Sequence, residues 1–441
     1  MTSALGMGAA TNPLTVNNPN VGAGTDVVVN LSSTAGTTTG NLNGTLATPG
    51  SGTNTATINT GAGQTFTVNQ TAAGSFDGVI GGTGNFALGS SSTNTLTLNG
   101  SNTYTGTTTL SGGTLSISNL QNGGVASNIG TNSSIILDGG NLLYTGASQS
   151  TDRVLTLTNN GGTINSSGTG VMTFSNSSAL GMTGSSPRTL TLTGTTGTTT
   201  APNIFAGSIV NGAGTTSLTK SGTGVWNLTG ASTYTGATNI NAGTLVVSGT
   251  TGTSTFNVNN SGTLTGTGTI GGQVNVNVGG TIAPGDGTNP LTVNNNVTIN
   301  GTYNVTVDVG SSTNSRLVSN SLTLNNATLN IDFTGTLTGT EVYVIAQNQT
   351  PGTTAVTGTF AGLPNGSFVG NFGGHAMYIY YNQNVSGTNL VIEQGTIVFT
   401  PVPEPVSVVG IAALAVGCVG GVLRRRARRA NSVAVVSTPI A

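Results

Sequence analysis

The sequence predicts an all-β chain wound as a solenoid, followed by one C-terminal apolar helix. Three observations carry this: period-two strands cut by glycine turns, long internal repeats, and a near absence of charge.

The strands come first. "NTLTLNG" (94–100), "RTLTLTGT" (188–195), "GTLVVSG" (243–249), "VNVNVGG" (274–280) and "TYNVTVDVG" (302–310) alternate apolar and small polar residues. Gly and Asn-Gly pairs punctuate them at intervals of about 8–12 residues. No convincing amphipathic helix precedes residue 403.

Short strands with glycine turns build a sandwich, a barrel or a solenoid. Repetition favours the solenoid, in which each coil stacks on the last. "SALGM" occurs at 3–7 and 178–182, and "TNPLTVNN" at 11–18 and 288–295. "LTLNGSNTYTGTTTLSGGTLSIS" (96–118) echoes "WNLTGASTYTGATNINAGTLVVS" (226–248) at an offset of 130 residues. Tyr104 matches Tyr234, and Gly113-Thr114-Leu115 matches Gly243-Thr244-Leu245. Because the chain opens inside repeat material, without a basic-then-apolar leader, an export signal upstream of Met1 is expected.

The composition suits stacking. Charged residues make up 4% of the 441, against about 25% in ordinary domains. Coils about 4.8 Å apart place like residues above like residues. Stacked like charges repel, whereas Thr, Asn and Ser form hydrogen-bonded ladders. With coils of about 20–25 residues, the body makes roughly 16–20 coils and a rod about 75–95 Å long. Residues 1–400 hold four basic side chains (Arg153, Arg188, Lys220 and Arg316) and nine acidic ones, so the body is acidic. It has no Lys/Arg cluster of the kind that binds nucleic acid.

The tail carries the opposite charge. Residues 406–423, "VSVVGIAALAVGCVGGVL", are an uncharged run of 18. As a helix this spans about 27 Å, enough for a bilayer core. Arg424, Arg425, Arg426, Arg428 and Arg429 follow directly, and the positive-inside rule places them in the cytoplasm. Cys418, the one cysteine, lies within this run and reads as a small packing residue.

Two resemblances follow from these motifs. "LTKSGTGVWNLTGASTYTGATNINAGTL" (218–245) resembles the autotransporter-associated β-strand repeat, through Lys220, Gly222, Gly224, Trp226, Leu228, Gly230, Tyr234, Gly236, Thr238 and Gly243-Thr244-Leu245. Ser232 stands where that pattern often has Asn. The copy at 96–115 keeps Asn102 but lacks the Lys and Trp. The segments 279–308 and 358–369 resemble modules that follow such repeats in bacterial surface proteins. The resemblance implies a right-handed parallel β-helix in an exported protein, without implying one activity.

Pro403, Glu404 and Pro405, then the apolar run, then the arginines, resemble the PEP-CTERM sorting signal of Gram-negative bacteria. That resemblance implies recognition and cleavage by an exosortase-type membrane enzyme. The residues "ANSVAVVSTPIA" (430–441) depart from it, since such signals usually end near the arginines. Four segments are expected: a solenoid body at 1–345, a terminal β module at 346–400, the sorting signal at 401–429 and a short tail at 430–441. A single apolar helix stands where an autotransporter would carry its outer-membrane barrel, so transport through its own barrel is not expected.

Chemistry in the body is thinly signalled. Asp286, Asp308 and Asp332 lie about one coil apart and could stack on one face, as paired carboxylates for glycan cleavage would. Asp286 instead reads as a turn residue in "PGDG". His375 has no nucleophile motif beside it, and no Cys/His cluster offers a metal site. "PGDG" does not meet the Asp-rich calcium repeat pattern. Tyr378, Tyr380 and Tyr381 could meet sugar faces but read better as closing the last coils.

The sequence thus reads as a surface or matrix protein of structural or adhesive function, without catalytic residues, metal or cofactor. Its expected partners are the sorting enzyme, the membrane transiently through 406–423, and an extracellular polysaccharide, with no nucleic acid. It is anchored in the inner membrane before processing and reaches the envelope, surface or medium after. A polysaccharide-acting β-helix enzyme is the alternative.

Overall fold

The computed structural model describes residues 12–17, 26–31, 36–46, 55–308, 313–335, 343–349, 356–372, 375–381 and 397–403. Among them there is no helix, hence none long and apolar enough to cross a membrane. The strands are short because a corner interrupts each after a few residues. A typical coil has three: Ser134–Leu137, Asn141–Tyr144 and Gln149–Thr151, or later Thr238–Ile240, Gly243–Val247 and Thr250–Thr251.

From Leu14 to Thr359 the strands pair in parallel with neighbouring coils, apart from a short antiparallel arm at Thr313–Asn314 and the antiparallel partner that Tyr343–Asn348 takes from Ile397–Pro403. One column can be followed through fifteen rungs. It runs Leu14, Leu42, Gly74, Leu96, Leu115, Leu142, Ile164, Leu192, Lys220, Ile240, Val258, Val276, Ile299, Leu324 and Gly358, facing inward as far as Leu324 and exposed at Gly358. At about 4.8 Å per rung the described stack is about 65–70 Å long.

Alternation does the sorting. In Arg188–Gly194 and Thr216–Lys220 every second side chain is buried. The buried set forms one continuous core from Leu14 to Tyr381. Its aliphatic rungs are joined by aromatic contacts: Phe66, Phe86 and Tyr104 have ring centroids 6.1 and 6.0 Å apart, and Phe174 lies 6.1 Å from Phe205.

Coil length is not uniform. The step is 18 residues from Thr238 to Phe256 and 34 from Thr323 to Thr357, wider than the 20–25 expected. Strand registry must be kept from coil to coil, whereas corner loops can lengthen outward without disturbing it.

The parallel stack gives way to an antiparallel end. Ser367–Phe372 and His375–Tyr380 form a hairpin. Ile397–Pro403 then pairs antiparallel with both His375–Tyr380 and Tyr343–Asn348. Folding back over the last rung supplies partners to a strand edge that would otherwise be open to further pairing.

Candidate functional surface

The two halves of the 130-residue echo do the same work in the fold. Tyr104 and Tyr234 are both fully buried. Each phenol shares a 2.6 Å hydrogen bond with the threonine hydroxyl four residues on, Thr108 or Thr238. Burial raises both phenol pKa values, that of Tyr234 to about 12. The Tyr-x-Gly-x-Thr spacing is therefore a side-chain bond across one corner. The glycine between them sits where the previous coil comes closest: a Cβ on Gly236 would lie 2.4 Å from the Thr216 carbonyl oxygen.

Ser232 and Asn102 are also equivalent. The Asn102 amide oxygen accepts the Ile80 backbone N–H at 2.7 Å, and the Ser232 hydroxyl oxygen accepts that of Ile209 at 3.1 Å. The departure from the repeat pattern keeps the acceptor and so keeps the bond.

Lys220 occupies a rung of the aliphatic column, between Leu192 and Ile240, with no exposed surface. Its stem packs in the core and its ammonium donates to the carbonyls of Ser221, Gly222 and Ala242 at 2.8, 2.8 and 2.9 Å. Burial lowers its pKa from 10.5 to about 8. Gly222 and Gly243, at φ +66° and +63°, turn the corners where these carbonyls converge. Trp226, likewise fully buried, donates its indole N–H to Thr193 O at 2.9 Å.

Two arginines act in the same way. Arg153 is 1% exposed and donates to backbone carbonyls of the long corner loop, among them Gln121 at 2.8 Å, Gly130 at 2.8 Å and Asn132. Burial pulls its pKa below the ordinary guanidinium value. Arg188 donates to the carbonyls of Leu157, Thr183, Gly184 and Ser186. Three of the four basic residues of the body are thus internal clamps on carbonyl groups. Composition counted them only toward the net charge of the body, although the inward phase of Leu218 and Lys220 in the alternation was there to be read.

The outward faces are uncharged over long distances. On the longest sheet one outward column runs Thr95, Thr114, Asn141, Thr163, Thr191, Thr219, Asn239, Asn257, Asn275, Thr298, Thr323 and Thr357. Its asparagines bond along the axis, Asn257 to Asn239 at 3.0 Å and Asn275 to Asn257 at 3.2 Å. A second ladder, Asn241, Asn259 and Asn277, runs beside it at 2.7 and 2.8 Å.

The three aspartates separate. The Asp286 carboxylate accepts the backbone N–H groups of Asn289 and Thr288 at 2.7 and 2.9 Å, which hold its pKa below the usual value. It is a turn cap. Asp332 pairs in register with Thr306, and Asp308 with Thr334. The two therefore share an outward face on neighbouring strands, one diagonal step apart.

Tyr381 donates its phenol to Leu363 O at 2.8 Å and accepts the Phe360 N–H at 3.1 Å. With Tyr303 and Phe360 it closes the last rungs (centroids 5.9 and 6.4 Å). Tyr378 packs edge-on against Phe368 at 5.8 Å. His375 opens the hairpin strand opposite Phe372 and Pro403. No cluster of metal-ligating side chains occurs among the described residues. Of the sorting motif, Pro403 ends the last strand. Glu404, Pro405, the apolar run 406–423 and Arg424, Arg425, Arg426, Arg428 and Arg429 lie outside the described residues.

Comparison with known proteins places this geometry. The model of the Passenger-associated-transport-repeat matches residues 90–117 and 218–247. The Adhesin BmaC autotransporter of Brucella suis biovar 1 (strain 1330) is 41% identical over 159 residues, which cover 34% of this chain. The aligned part is 4% of that protein's length, so the chain spans a small part of the relative it matches. The matched segments are the two that carry the Tyr–Thr bond, the Asn/Ser acceptor and the corner glycines, and the chain carries the passenger repeat twice.

Proposed function

We propose that the chain is an exported, non-enzymatic protein of the bacterial envelope or extracellular matrix, and that its solenoid serves as a structural and adhesive rod. The observation that carries this is the twelve-rung uncharged Thr/Asn face, held by a fold that repeats the passenger motif. Such a face offers many weak hydrogen bonds over a long rigid surface, which suits multivalent attachment. The similarity to an autotransporter adhesin supports the same reading.

The finer parts of the proposal concern handedness and delivery. The solenoid is right-handed and forms the body at 1–345, closed by the β module at 346–400. An exosortase-type enzyme recognises Pro403-Glu404-Pro405 within the signal at 401–429. Residues 406–423 hold the uncut chain in the inner membrane and the five arginines stay in the cytoplasm. Each Arg costs about 2.5–3.5 kcal/mol at the bilayer centre on insertion scales, so the tail does not follow the body outward. Mass spectrometry of the mature C-terminus, in a host with the sorting enzyme, should find an end near Pro403. Replacing Pro403-Glu404-Pro405 with alanines should leave topology unchanged and block release. Surface protein still carrying 406–441 would reduce the tail to a simple anchor.

One observation favours the alternative of a polysaccharide-acting enzyme: Asp308 and Asp332 share a face. Glycan depolymerisation by the purified protein, abolished by Asp308→Asn, would establish that reading and displace the first.

A further inference from the structure

The sheet that includes Gly243–Val247, Gly262–Gly266, Thr281–Pro284, Thr302–Asp308 and Thr328–Thr334 carries a cleft of about 490 Å³ on its outward side. That volume falls within the roughly 300–1,000 Å³ of small-molecule sites. Its polar lining comes from Thr199, on a bend, and from Thr265, Asn304, Thr306, Ser315, Asn330 and Asp332. Strand register explains why they converge. Thr265 stands beside Ala283, Asn304 beside Asn330, and Thr306 beside Asp332. Neighbouring groups are therefore about 4.8 Å apart along the axis and about 7 Å apart along a strand.

Two of these side chains are fixed in advance. Thr265 donates its hydroxyl to Ala283 O at 2.6 Å, so its oxygen faces the cleft as an acceptor. Asn330 donates its amide to Asn304 Oδ1 at 3.0 Å. This leaves the Asn304 N–H groups as donors and the Asn330 carbonyl oxygen as an acceptor. Donors and acceptors alternate on a rigid floor, which lowers the ordering cost of binding.

The lining also limits what can bind. Asp332 is its one ionisable group, and no cationic side chain lines the cleft, so an anion meets repulsion. A hard cation would find a single carboxylate where calcium takes six to eight oxygens. An apolar ligand would cover the amides without pairing them, which is unfavourable. An uncharged molecule with many hydroxyl groups satisfies every group. We propose that this cleft binds a neutral oligosaccharide, the Asp332 carboxylate accepting one sugar hydroxyl. The proposal rests on the adhesive reading and names a ligand class and a place for it.

The test uses the full chain and neutral probes (cello-, laminari- and fully N-acetylated chito-oligosaccharides), with oligogalacturonate as the acidic comparison, read by calorimetry. Saturable binding of a neutral probe is expected, with oligogalacturonate at least tenfold weaker. Asn304→Ala with Asn330→Ala should weaken binding tenfold or more. Thr306→Arg, at an exposed position that burdens no core, should do the same by filling the cleft. Thr109→Ala, at an outward position of Thr108–Leu110 in a separate sheet, should leave affinity unchanged, and circular dichroism checks each fold. Unchanged affinity in the cleft variants, a preference for oligogalacturonate, or no binding of any neutral probe would overturn the proposal. Attachment of the same proteins to cells, measured in parallel, reports on the adhesive reading separately.

Discussion

Lys220 shows how a charge can serve a fold that has almost none. Its ammonium satisfies three carbonyls at a corner where the backbone turns too sharply to satisfy them itself. Lys220→Met keeps the packed stem and removes the donor. It should destabilise the protein by about 1–3 kcal/mol, the cost of unsatisfied buried acceptors, seen as a lower denaturant midpoint. The pH dependence follows from the lowered pKa. The folded chain releases this proton near pH 8, whereas the unfolded chain holds it to 10.5. Between those values the unfolded state binds more protons, so stability rises with pH; below about 8 the cost of burying the charge is present in full. Thermal unfolding across that window should show the rise in the native protein and a flatter profile in Lys220→Met.

At the scale of the element, the ladders explain why the strands are neutral. Asn257 both donates to Asn239 and accepts from Asn275, which a neutral amide can do and a carboxylate cannot. Asn257→Asp keeps the shape and the acceptor but turns the donor into a second oxygen facing the Asn239 carbonyl. It should cost about 1–2 kcal/mol at neutral pH, within the range for leaving an acceptor without its donor. The cost should shrink below about pH 4, where the carboxyl regains a proton to donate. Chemical denaturation of both proteins at the two pH values measures it. A mutant as stable as the native protein at neutral pH would mean that the ladder contributes nothing beyond backbone pairing.

For the whole molecule, one-dimensional stacking makes stability local. Each coil touches its neighbours and little else, so damage spreads by nearest-neighbour coupling. Leu142 fills the inward column between Leu115 and Ile164 and is 1% exposed. Leu142→Ala should cost about 2–5 kcal/mol through the cavity it leaves. Hydrogen exchange should quicken first in the coils of Leu115 and Ile164, while that of Val276 keeps its protection. Uniform loss of protection along the chain would show that the rod unfolds as one cooperative unit.

Much of this was legible in the chain itself. Period-two alternation settles which side chains face inward because side-chain direction on a strand has no other period, and the 130-residue echo marked Tyr104 and Tyr234 as equivalent before their bonds to Thr108 and Thr238 were visible. The preference for Thr, Asn and Gly over charge followed from the repulsion of stacked ions. Three-dimensional stacking alone decided the rest. The step between rungs varies from 18 to 34 residues, and register depends on where each corner closes, which no local pattern encodes. That Arg153 points into a corner loop depends on carbonyls 21 to 32 positions away, and Arg188 joins one carbonyl 31 positions away to three within its own corner. Asp286, Asp308 and Asp332 looked alike in spacing, yet one caps a turn and the other two share a face. Thr265, Asn304 and Asn330 gave no sign of a common cleft, because sequence records spacing along the chain, and the cleft is made across it by coils lying side by side.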